Sequence, residues 1–90
     1  MDTSLLPGAD VIDRGLADLA GGSVTAEALL VSIGAPRLRA LGWDVSVTLA
    51  NAEERLYQLL AETDADAAHS RYNALIRHLV SFQRAAACAK

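Results

Sequence analysis

From Asp66 to Lys90 the chain has neither glycine nor proline. A polar residue able to cap, Asp64 or Asp66, stands at the head of this run, so the pattern predicts one long helix. At about 100° per residue, Tyr72, Leu75, Ile76, Leu79, Val80, Phe82, Ala86 and Ala87 gather on one face. That face is about 160° wide, against roughly 100° for an ordinary surface helix. A helix so broadly apolar has to meet several neighbours at once. Arg77, Ser81 and Arg84 fall on the opposite side, toward water.

Gln83 projects inside the apolar arc and His69 at its edge. A buried amide without a partner costs about 1–3 kcal/mol, so Gln83 needs a partner either in the core or across a subunit interface. In the second case it would set the register of a homodimer. The residues expected at such an interface are Tyr72, Leu75, Leu79, Phe82 and Gln83, together with Val45 and Val47.

Ninety residues make a single domain, 1–90, with residues 1–6 as a flexible tail. The apolar fraction is 52% with only 4% aromatics, so the core must be built from Leu, Val, Ile and Ala, which suits closely packed helices. One cysteine cannot form an internal disulfide, and no leader pattern opens the chain, which places the expectation in a reducing cytoplasm. Apolar runs fall far short of the roughly 20 residues that span a bilayer, so no membrane is expected. The formal charge of −3 argues against nucleic acid as the main partner. Yet the charge is uneven: after Asp66 come Arg71, Arg77, Arg84 and Lys90 and no acid.

Taken in order, Leu5 and Leu6 are candidates to fold back on the body. Pro7 and Gly8 introduce a helix at Ala9–Ala20 with Ile12, Leu16 and Leu19 inward, ended by Gly21 and Gly22. Gly15 sits on its apolar side, where glycine is unfavourable by up to about 1 kcal/mol, so it marks a close helix approach. Thr25 caps a short helix over Ala26–Ile33. Gly34 then fits a helix end and Pro36 the first turn of another short helix closing at Gly42. Trp43 is expected to anchor on the body. The segment from Asp44 to Leu49 alternates at period two and reads as an extended connector pinned by Val45, Val47 and Leu49, or as a strand pairing with its own copy. Asn51 and Glu54 have the form of a capping box for a helix to about Glu62, with Leu56, Leu59 and Leu60 inward. The expected fold is therefore all-α: a compact bundle of about five helices, two of them short, around the long C-terminal one.

Few residues suggest chemistry. His69 and His78 point about 180° apart on one helix, so no metal site is expected. Cys88 lies at a helix C-terminus, where the dipole disfavours a thiolate. Ser23 lacks the Asp-Ser-Leu setting of an acyl carrier, and no cofactor is expected. Arg71 and His78, with six residues between them, fall within about 20° on one face. Arginine followed a few residues later by histidine on a late helix resembles HEPN-type ribonucleases, although Tyr72 stands where those motifs usually carry a polar residue. The resemblance implies a catalytic pair completed across a dimer interface. The two short helices with Gly34 and Ala35 between them have the coarse shape of a helix-turn-helix, with Arg37 and Arg39 available to DNA. The reading that the sequence favours is non-enzymatic: a small interaction or regulatory protein that self-associates through its C-terminal helix.

Overall fold

Two glycines end the first two helices by the same device. In the computed structural model, which describes residues 5–89, helix α1 spans Ala9–Ala20 and α2 spans Ala26–Ala40. Beyond each, a glycine takes the left-handed conformation that other residues avoid: Gly22 at φ 78° and Gly42 at φ 108°. The amides that follow turn back onto the helix. Ser23 N–H donates to Asp18 O at 2.8 Å and Trp43 N–H to Leu38 O at 2.9 Å, so carbonyls in each last turn find donors. Helices α3 at Ala52–Thr63 and α4 at Ala68–Ala89 complete the bundle. The described residues thus hold four helices and no strand.

The difference from the expected five helices lies at Gly34–Pro36. These residues do not break the chain into two short helices but lie inside α2. Proline lacks an N–H, so the Ser32 carbonyl loses its intrahelical donor, and a proline in a helix interior costs about 3 kcal/mol or more. Packing outweighs that local preference. Gly34 and Ala35 are both buried, and a Cβ added at Gly34 would lie only 2.6 Å from Leu79 Cδ1 and 2.9 Å from Gln83 Nε2 on α4. The absent side chain is what lets α4 approach. Seven buried residues of α2, among them Leu29, Leu30, Val31 and Leu38, make it the most enclosed element. It touches α1, α3 and α4, and α4 in turn touches the other three.

The first two helices meet at Gly15. A Cβ there would stand 2.4 Å from the Glu27 carbonyl oxygen and 2.4 Å from Val31 Cγ2, so the backbones are in close contact, as the glycine's place on the apolar side implies. Thr25 secures the same junction: its Oγ accepts from Ala28 N–H at 3.1 Å and donates to Asp18 Oδ2 at 2.7 Å, capping α2 while tying it to α1. Thr25→Ala is expected to lower stability by about 1 kcal/mol and Thr25→Ser to retain most of it. Urea denaturation followed by circular dichroism measures both.

The connector from Trp43 to Ala50 forms no strand pairing among the described residues. Side chains of α2 satisfy its backbone instead: Arg39 Nε donates to Val45 O at 2.6 Å, and Leu49 N–H donates to Ser32 Oγ at 3.0 Å. Held at these points, it buries Val45 and half-buries Leu49, while Val47 stands 59% exposed, contrary to the inward place that the alternation assigned it. Asn51 opens α3 in the left-handed region at φ 54° with no side-chain cap bond, so the expected capping box does not form. Asparagine is among the few residues that tolerate this conformation. The turn into α4 is held by Asp64, whose Oδ1 and backbone oxygen accept from Ala67 N–H at 3.3 and 3.2 Å. At the other end of the described chain, Leu6 packs on the core and Leu5 is exposed. Met1 to Ser4 and Lys90 lie outside the described residues.

Candidate interaction surfaces

The inner face of α4 is consumed by the monomer. Leu79 and Phe82 are buried, and the Phe82 ring meets Trp43 edge-on with centroids 5.1 Å apart. Gln83 is 6% exposed and its Nε2 donates to the Gly34 carbonyl at 3.2 Å. Of the two partners foreseen for this amide, the one it has is in its own core. Leu79, Phe82, Gln83 and Val45, expected at an interface, are therefore buried within the chain itself. Tyr72 and Leu75 are half-buried, and Val47 is exposed.

What remains outside is the margin of the arc. Tyr72, Ile76 and Val80 recur every four residues and so form one stripe along α4. Val80 is 37% exposed, and α3 sets the 41%-exposed Tyr57 beside Tyr72 with ring centroids 5.9 Å apart. Partial burial, and then the negative charge of Glu53, push the Tyr72 hydroxyl above the ordinary tyrosine pKa. Exposed Arg77 and Arg84 flank the stripe on its solvent side.

A second feature joins α2 to the start of α3. Here a groove of about 440 Å³ has Ile33, Pro36 and Leu49 as its apolar lining and Glu53 and Glu54 among its polar lining. Sequence patterning assigned Ile33 and Leu49 simply inward and gave no sign of this groove. It depends on the continuous α2 and on the left-handed Asn51, neither of which a local pattern reveals.

The candidates for chemistry disperse. Arg71 and His78 are both exposed on α4, two turns apart, which is an axial separation of about 10.5 Å. The His78 backbone lies under the start of α1: a Cβ at Gly8 would be 2.9 Å from the His78 carbonyl oxygen. His69 is exposed and shares a 3.2 Å hydrogen bond with Asn73. Cys88 is exposed near the end of α4. Among the described residues no group of three or more His, Cys, Asp or Glu could hold a metal ion, and no helix is long and apolar enough to cross a membrane. The turn on which the helix-turn-helix reading rests does not exist, since α2 runs through it, and Arg39 is engaged with Val45 O. No protein-family model, curated protein or solved structure matches this chain.

Proposed function

We propose that this chain is a non-enzymatic interaction protein that pairs with a second copy of itself through the outer margin of α4. The stripe of Tyr72, Ile76 and Val80, extended onto α3 by Tyr57, is the observation that supports it. With Leu79, Phe82 and Gln83 turned inward, the contact moves round the helix from the face that the apolar arc alone suggested. A domain of this size buries only roughly 60–65% of its unfolded surface, so covering such a stripe adds usefully to its stability. A cytoplasmic setting suits this role, because exposed Cys88 stays a thiol in a reducing compartment.

Light scattering at low-micromolar concentration should give about twice the 9.5 kDa chain mass. Val80→Glu, which puts a charge on the exposed stripe, is expected to return the mass to that of one chain with circular dichroism unchanged. A wild-type mass that stays at one chain throughout the concentration range sinks the proposal.

A further inference from the structure

We infer that the groove between α2 and the start of α3 is the receptor for the basic margin of α4 from a second copy. The inference rests on the self-association proposed above and names what the partner helix contacts.

The two surfaces are opposite in chemistry. The groove offers an apolar lining of Ile33, Pro36 and Leu49 and two carboxylates, Glu53 and Glu54, on neighbouring positions of the first turn of α3. A ligand complementary to it carries a cation on an apolar stem or beside an apolar side chain. The outer margin of α4 is such a ligand. Arg77 and Arg84 are two turns apart, about 10.5 Å along the axis, with Val80 between them on the adjoining row. All three are exposed. Within one chain the two arginines point away from α2, because Leu79 and Gln83, about 100° or more round the helix from them, are the residues that meet Gly34. The arginines of one copy are therefore free to serve the carboxylates of another. Arginine is suited to this, since its guanidinium forms charge-assisted bonds to carboxylates and its methylenes pack on apolar surface. The groove is a shallow depression open to solvent, so it admits a few side chains rather than a whole helix. Val80 and the arginine stems are what it would enclose.

Two charge-reversed proteins test the pairing. One carries E53K and E54K, so that a basic groove meets a basic margin; the other carries R77E and R84E, so that an acidic groove meets an acidic margin. Each alone is expected to self-associate roughly tenfold or more weakly than wild type, because like charges then face each other. Mixed in equal amounts they match at both contacts, lysine groove to glutamate margin and glutamate groove to arginine margin. The mixture is expected to recover a dimer of near wild-type affinity in sedimentation velocity. Thermal melts followed by circular dichroism confirm that each variant is folded.

Wild-type protein that is monomeric under these conditions defeats self-association itself, and this pairing with it. Dimeric wild type with both variants equally tight leaves self-association standing and overturns the groove as its receptor. So does a mixture that stays as weak as its components.

Discussion

Phe82→Ala is expected to cost about 3–5 kcal/mol, the usual range for deleting a fully enclosed aromatic ring. A chain of ninety residues has a total stability of roughly 5–13 kcal/mol at about 0.05–0.15 kcal/mol per residue. One side chain therefore carries a large share of the whole. The reason is its position: Phe82 is fully buried on α4 and meets Trp43, which follows the left-handed Gly42 at the end of α2. The ring thus joins the last helix to the cap of the second. Its removal leaves a cavity that the four helices cannot close without shifting Trp43. As the only tryptophan, Trp43 reports the change directly. A urea titration read by its fluorescence should show a much lower midpoint and an altered native-state spectrum. A loss below about 1 kcal/mol would contradict the enclosure of this ring.

Gly15→Ala is the second large effect, and its sign distinguishes two forces. Helix propensity favours alanine over glycine by about 1 kcal/mol in a helix interior, so α1 considered alone would gain. Packing opposes this. The new methyl would overlap the Glu27 carbonyl and a Val31 methyl, both at 2.4 Å, and the carbonyl belongs to the backbone of α2 and cannot swing aside. Separating the two helices exposes the contact between Ile12, Leu19 and the enclosed face of α2. Overpacking of this kind costs about 1–3 kcal/mol or more, so a net loss of about 2 kcal/mol is expected, equivalent to a fall in melting temperature of roughly 8–16 °C for a domain of this size. Thermal melting by circular dichroism decides it. A variant more stable than wild type would show that α1 and α2 do not approach as closely as described.

The parts of this fold that local rules govern were legible. Helix α1 has the bounds that Pro7-Gly8 and Gly21-Gly22 imply, Thr25 caps α2, and Gly15 marks a close approach. These follow from capping chemistry and steric needs within a few residues. Gly34-Ala35-Pro36 misled for the same reason. Gly34 locally favours a helix end, while Pro36 favours a helix start and disfavours helix at Ala35 before it, but the decisive contact is with Leu79 and Gln83, some 49 residues away in the case of the Gln83 bond. Asn51 and Glu54 fit a capping pattern by spacing, yet the connector delivers Asn51 in a left-handed conformation, and that delivery depends on how Ser32 and Arg39 hold the segment before it. The candidate site was less legible than the fold. The breadth of the apolar arc on α4 announced several neighbours, but not which part they would cover. Leu79, Phe82 and Gln83 went to the core, Tyr72 and Val80 remained at the margin, and the groove beside Glu53 and Glu54 emerged only from tertiary arrangement.

The bond from Gln83 to Gly34 has a consequence for the order in which the chain can be completed. Helices α1 and α2, and α3 and α4, pair across short turns, whereas the α2–α4 contact closes a loop of about 49 residues, and loop closure costs more entropy as the loop grows. On the ribosome α4 is also the last of the four helices to emerge. Without α4 the trough over Gly34 and Ala35 has no cover. Arrival of Leu79 and Gln83 fills the trough in a single register, since the amide finds the Gly34 carbonyl only there. The last helix therefore closes the core while supplying Leu79, Phe82 and Ala86 to it.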